Sequence, residues 1–335
     1  MAINNKAYSS KEFQFLIAEQ DDFGTLEPHG SSNSYVSIDV DSVGSPSLNI
    51  NQTLDVRTGS RVLQATDFFQ DNKNKVMEFS VSGTATTEAL DLILGNITFG
   101  DTSPYLLTSS QATNYLAVGA ENLTANQILS IIYKSPSSSH SLAFKDCFCT
   151  SVSFNGDAGT EGGRIKFSAT FKSGSAPTLT ESTVSADTAI TANNYYMSSW
   201  DADDRIVAGI SNCLVSSFTL NIENDVFFAG VTSTGYEQVA RAGEISATAD
   251  FSVKYDDNTD VLFENFHDQV TGASEGTTLM ATDATPSDGE FEFKFLKSVI
   301  TNATFNEGDL MMVDVSVKAV GGGVGSSDAL FEVAC

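Results

Sequence analysis

The chain has 335 residues, long enough for two domains of ordinary size that each bury a core. Hydrophobic residues make up 41% and aromatics 10%, with 23 Phe, which excludes an acidic disordered chain. A net charge of −26, from 43 acidic against 17 basic residues, excludes a surface that wraps nucleic acid by neutralising its phosphates.

Residues 1–45 read as an N-terminal arm. Phe13, Phe15 and Leu16 form a short apolar patch, and an acidic, turn-like run from Glu19 ends in Phe23-Gly24-Thr25. The apolar run Phe13–Ala18 is too short for a signal peptide, and no stretch approaches membrane-spanning length. Tyr35–Val40 alternates as a strand does.

Residues 46–174 form a first β-rich unit, with strands expected at Ser47–Val56, Val76–Thr84, Ala143–Asn155 and Arg164–Lys172. A helix is expected after the second strand. Thr86 or Thr87 caps it, Glu88 and Asp91 suit its positive end, Leu90 and Leu94 share a face, and Gly95 closes it. An insertion over 101–142 includes a short helix candidate, Asn126–Tyr133, and a Ser-rich run. Residues 175–212 read as an inter-domain linker, since long loops of this kind pack on neighbours.

Residues 213–320 form a second unit, with strands expected at Leu214–Glu223, Gly243–Tyr255, Gly289–Asn306 and Asp309–Val320. Its helix is capped by Asn258 or Thr259, with Asp260 in the first turn and Leu262 and Phe266 on the buried face. Residues 321–335 read as a flexible or docking tail.

The two units match each other. Leu48-Asn49-Ile50 returns as Leu220-Asn221-Ile222, and Phe79-Ser80-Val81 as Phe251-Ser252-Val253, both at an offset of 172. Thr150 through Phe154-Asn155 returns as Thr301 through Phe305-Asn306 at an offset of 151. The implied fold is mainly β: two tandem β-sandwich or half-barrel units, each flanked by a short helix, with long loops and an N-terminal arm.

No catalytic constellation assembles. The three histidines are isolated, and there is no Gly-x-Ser-x-Gly elbow, Walker loop or His-Glu-x-x-His motif. Cys147, Cys149, Cys213 and Cys335 lack metal-site spacing and read as reduced thiols. Asp256, Asp257 and Asp260 cluster oxygen ligands that could attract calcium. The glycine and distant Glu of an EF-hand are missing, however, and the first unit has a plain turn and helix cap at this place. Neither an enzyme nor a cofactor is expected.

Three features resemble the major tail tube proteins of long-tailed bacteriophages. They are the arm with its acidic turn ending in Phe23-Gly24-Thr25, the strand Ser217-Phe218-Thr219-Leu220-Asn221-Ile222-Glu223-Asn224, and the strand–turn–helix from Ala247 to Phe266. The resemblance implies a structural virion protein, made and assembled in the host cytoplasm. Its copies join edge to edge into rings, and the rings stack into a hollow siphovirus-type tail tube through which DNA passes without specific binding. A duplicated subunit implies a homotrimer with pseudo-sixfold symmetry. Partners are then further copies of the chain, the tape measure protein, and the tail-end and terminator proteins, with no membrane. Phe13, Phe15, Leu16 and Phe23 are expected at ring-to-ring contacts, and an acidic lumen would repel phosphate. Two other readings compete: a tail terminator or tail-end component of the same fold that forms one closed ring, and a calcium-binding β-rich surface or adhesion module.

Overall fold

The computed structural model describes residues 9–28, 35–44, 46–54, 62–64, 67–98, 105–108, 115–117, 128–136, 141–157, 159–180, 196–200, 205–231, 235–241, 245–267, 277–283, 290–321 and 329–334. In chain order the strands begin with β1 (Gln14–Glu19), β2 (Val36–Ile38), β3 (Val40–Val43), β4 (Ser47–Leu54) and the 17-residue β5 (Phe68–Thr84). Helix α1 (Thr87–Thr98) precedes β6 (Tyr105–Thr108), β7 (Tyr115–Ala117), β8 (Leu129–Lys134) and a second 17-residue strand, β9 (Ser141–Asp157). Next come β10 (Lys166–Ser173), β11 (Thr178–Thr180), β12 (Tyr196–Trp200), β13 (Val215–Glu223), β14 (Val226–Val231), β15 (Tyr236–Arg241) and β16 (Ser246–Lys254). Helix α2 (Asp260–His267) is followed by β17 (Thr277–Asp283), β18 (Glu290–Phe295), β19 (Ser298–Glu307), β20 (Met311–Ala319) and β21 (Ala329–Ala334).

The fold is mainly β. A 13-stranded sheet runs β19-β20-β16-β13-β9-β10-β5-β3, with every pairing along it antiparallel, and β4 lies beside the other half of β5. Strict alternation makes this sheet two-faced. Phe79, Val81, Val152, Phe154, Leu220, Ile222, Ala249, Phe251, Val315 and Val317 are buried on one side. Ser, Thr, Asn and charged residues take the other.

A five-stranded sheet, β12-β17-β18-β21-β6, covers part of the apolar face. Two phenylalanines of β18 supply the contact: Phe291 lies 5.3 Å from Phe154, and Phe293 lies 5.5 Å from Phe218 and 6.1 Å from Phe251, ring centre to ring centre. Each aromatic pair adds roughly 1 kcal/mol beyond simple burial. Helix α1 packs against β9, β1, β2 and β6. Its residues Leu90, Ile93, Leu94 and Ile97, at helical spacing, are buried.

Four expectations change here. Gly95 does not close α1, which continues to Thr98, where the Thr98 hydroxyl donates to the Leu94 carbonyl at 2.7 Å. Burial of the last turn outweighs the stop signal of one glycine. Asn126–Tyr133 is no helix over its described part: β8 begins at Leu129, with both faces buried between β1 and β9, so its apolar run mimics helical spacing. Gly289–Asn306 is two strands, β18 and β19, split at Leu296-Lys297 and belonging to different sheets. Finally, the stretches read as insertion, linker and tail contribute β6, β12 and β21, three strands of the five-stranded sheet. Residues 137–140 of the Ser-rich run and half of the linker, 181–195 and 201–204, lie outside the described residues.

Candidate assembly interface

The large sheet is open at both ends. Among the described residues β19 pairs only with β20, and β4 only with β5. Open edges are usually blunted by lysine, proline or shortness. Here Ser298–Glu307 spans ten residues and Ser47–Leu54 eight, and neither strand contains Lys or Pro. Exposed apolar side chains gather beside the same edges. Phe305 is 42% exposed and Leu310 65%, with Val299 and Met311 nearby. At the other end Leu54, Phe68, Val62 and Leu63 are exposed. Phe305 lies against Phe263 of α2, with ring centres 4.9 Å apart.

The polar face is hydroxyl-rich and cross-linked. Thr219 donates to Asn155 Oδ1 at 2.8 Å, Ser252 to Asp314 Oδ1 at 2.8 Å, and Ser42 lies 2.7 Å from Ser82. A concavity of about 380 Å³ opens on it, lined by residues including Asn155, Lys166, Thr219, Asp250 and Ser316. Two lysines of the sheet meet carboxylates: Lys166 of the concavity lies 2.9 Å from Asp41, and Lys172, further along β10, 2.7 Å from Asp225. The face therefore pairs charges of both signs among small hydroxyls.

The acidic turn is pinned to a corner of β9. Asp146 takes a positive φ of 53°, and β9 passes there from pairing with β10 to pairing with β8 and β11. Its carboxylate accepts from Gln20 Nε2 and the Gly24 amide, each at 2.6 Å, and from Ser175 Oγ at 3.2 Å. Gln20 Oε1 in turn accepts from the Asp146 amide at 2.8 Å and Ser130 Oγ at 3.0 Å.

The four residues expected at ring-to-ring contacts fall into two settings. Phe15 and Leu16 belong to β1, which lies between β2 and β8, and both are buried inside the protomer. A strand buried on both faces is apolar throughout, which is why the patch read as a contact surface. Phe13 is half-buried and stacks on Tyr133 at 4.7 Å, and Phe23 packs against the buried cluster that includes Ile128, Phe148 and Val226.

Arg241, on β15, is the residue that sequence reasoning missed. It is buried, and burial lowers its pKa from 12.5 to about 10. One guanidinium nitrogen donates to the Cys149 carbonyl at 2.6 Å and to the Asn224 carbonyl, and the other to the Asn96 carbonyl at 2.6 Å. It thereby ties the end of α1, the bend of β9 and the turn after β13. Nothing in Tyr236–Arg241 announces this in the sequence. Cys147, Cys149 and Cys213 are buried and reduced, and burial raises the Cys149 thiol to about 12.

The acidic cluster before α2 is used locally. The Asp256 carboxylate accepts from the Asn258 amide at 3.0 Å, and Thr259 Oγ1 accepts from the Asp256 amide at 2.9 Å. This is a turn leading into a helix cap. Among the described residues no group of three His, Cys, Asp or Glu side chains is placed to hold a metal. No helix there is long and apolar enough to cross a membrane.

A two-faced sheet whose long edge strands carry no Lys or Pro is a β architecture to which further strands can add. The chain belongs to the phage tail tube protein family, whose family model matches residues 12–319. No curated protein matches it. It is accordingly a structural protein of the virion and not an enzyme, and it assembles with copies of itself and other tail proteins.

Proposed function

We propose that the chain is the major tail tube subunit, and that three copies close their large sheets into one ring. The ring is hollow, stacks on others, and passes DNA along the polar face. The observation that carries this reading is the pair of unprotected edges on a sheet that is dry on one side and wet on the other.

Strand number supports three copies. Each chain offers eight strands from edge to edge, β19 through β5 to β4. At about 4.8 Å between strands and a tilt near 40°, 24 strands give a barrel roughly 48 Å across its backbone, and 16 strands roughly 32 Å. Side chains take about 5 Å on each side, which leaves roughly 38 Å or 22 Å, against about 20 Å for the bare DNA duplex, to which its shell of water adds several ångströms. Three chains leave room for DNA and water; two do not. The two sequence-matched units then serve as the two halves of a pseudo-sixfold repeat. A face of hydroxyls and paired charges, on a chain of net charge −26, offers phosphate no cluster of free cations.

Stacking falls to parts that project beyond the sheet. Phe13 and Phe23 remain proposed contacts, joined by Val62 and Leu63 between β4 and β5. The tape measure, tail-end and terminator proteins are the proposed partners at the ends of the tube.

Electron microscopy of the purified protein across protein and salt concentrations tests this. Stacked hollow rings are expected, with salt favouring growth by screening the negative charge. Single rings that never stack would instead support a terminator or tail-end component.

A further inference from the structure

The chain carries its own blueprint for the contact between neighbouring subunits. We infer that β19 of one subunit pairs antiparallel with β4 of the next, in the register that β9 and β13 adopt inside one chain: Asn306 opposite Ser47, Phe305 opposite Leu48, Thr304 opposite Asn49 and Ala303 opposite Ile50. This rests on the proposed ring and specifies its seam.

From the β4 end the sheet reads β4-β5-β10-β9, then β13-β16-β20-β19. The residues that match at an offset of 172 place β4 with β13 and β5 with β16; those at 151 place β9 with β19. The two blocks therefore have the same order, and β9–β13 is the seam between them.

The strands flanking both seams are set identically. Ser47 faces Glu78 and Leu48 faces Met77 on β5; 172 residues on, Thr219 faces Asp250 and Leu220 faces Ala249 on β16. Val43 faces Val81 as Val215 faces Val253. On the other side of the seam, Phe154 faces Phe167 and Phe305 faces Val313. The same bulge interrupts both. Thr150 is passed over between Ser151 and Cys149, and Thr301 between Asn302 and Ile300. Each of these threonines donates its hydroxyl at 3.2 Å to a carbonyl of the partner strand, Thr170 in one case and Ser316 in the other. Two internal pairings differ. Just after the four residues of the seam register β4 slips along β5, from Ile50 opposite Lys75 to Asn51 opposite Asp71, whereas β13 runs on from Ile222 opposite Ala247 to Glu223 opposite Ser246. Ser80 faces Thr170, whereas Ser252 faces Asp314, two residues short of the match. A shift of two keeps every side chain on its own face and leaves the seam strands untouched.

The inner seam pairs Thr219 with Asn155, Leu220 with Phe154, Asn221 with Ser153 and Ile222 with Val152. Moving the first member of each pair back by 172 and the second forward by 151 yields the register above. Burial shows what is missing at the outer seam. Phe154 is fully buried, whereas its counterpart Phe305 is 42% exposed on a strand with one neighbour. The Thr219–Asn155 hydrogen bond of 2.8 Å becomes a contact between Ser47 and Asn306, both exposed in the lone chain.

Disulfide trapping tests the register. Directly opposed residues have Cα atoms about 4.5–5.5 Å apart, within disulfide reach, whereas diagonal neighbours lie at about 7–8 Å, beyond it. Full-length S47C/N306C and S47C/T304C chains are assembled under reducing conditions, imaged, and then oxidised, with the four-cysteine parent as background. In the S47C/N306C chain a disulfide between positions 47 and 306, verified by peptide mapping and ending in a covalently closed trimer, is expected, with the S47C/T304C chain unlinked. Rings or tubes in which the 47/304 pair links, or neither does, would overturn the register while leaving the tube reading intact. If the parent chain forms no rings at all, the tube reading itself fails, and the seam with it.

Discussion

Replacing Arg241 with methionine probes the joint on which both halves of the sheet depend. Methionine keeps most of the aliphatic volume and removes the fork that serves the carbonyls of Cys149, Asn224 and Asn96. Each buried carbonyl left without this donor costs about 1–2 kcal/mol, and the three together about 3–6 kcal/mol. Removing the guanidinium also relieves the desolvation that lowers its pKa to about 10, which offsets part of that loss. A net loss of about 3–4 kcal/mol is the result. For 335 residues the unfolding entropy is roughly 0.7 kcal/mol per kelvin, so the midpoint should fall by roughly 5 °C. Differential scanning calorimetry on the unassembled chain reads this directly. Arg241→Lys should fall between the two, because an ammonium keeps the charge and loses the planar fork. A drop below about 1 °C for Arg241→Met would show that the carbonyls find other donors and that Arg241 is no keystone.

Other outcomes follow from the same packing. Gly83→Ala places a Cβ 2.0 Å from the Asp39 carbonyl oxygen, so urea unfolding should show a loss of about 2 kcal/mol or more. Burial raises the thiol pKa from 9.0 to about 12 at Cys149 and about 11 at Cys213. Their contribution to stability is complete below 9.0 and shrinks as pH rises toward those values, because the unfolded chain ionises first. Urea midpoints should therefore decline between about pH 9 and 11, less steeply in a Cys149→Ala, Cys213→Ala chain. Deletion through residue 30 removes β1 and the Asp146 clamp, so it should lower the melting temperature as well as block tube growth. Val62→Ser with Leu63→Ser should leave rings in place and shorten tubes in micrographs.

Strand alternation made most of the large sheet legible, because one face is wet and the other dry. Strand order was not legible: the segments matched at 172 and 151 fall on β4 and β13, β5 and β16, and β9 and β19, but nothing in the sequence says which of these strands are neighbours. The signal failed where a strand is dry on both faces, since β1 and β8 carry no alternation to read. It also failed at Leu296-Lys297, where Phe291, Phe293 and Phe295 alternate up to a turn that carries neither Gly nor Pro. The second sheet was invisible because β6, β12 and β21 are short strands far apart in sequence: β6 pairs with β21, and β12 reaches them only through β17 and β18. Arg241 illustrates the same limit for single residues. Its partners at 96, 149 and 224 are remote in the chain, and only the fold makes a lone arginine into a clamp.

The most direct measurement is a reconstruction of the assembled tube by electron cryomicroscopy, at a resolution that separates strands. The expected result is a closed wall of about 24 strands in each ring, threefold in sequence and close to sixfold in shape. In it β19 lies beside β4 of the next chain at each seam, with the Ser, Thr and Asn face turned inward. Rings whose β19 and β4 edges remain open to solvent, with contacts made by loops alone, would contradict it.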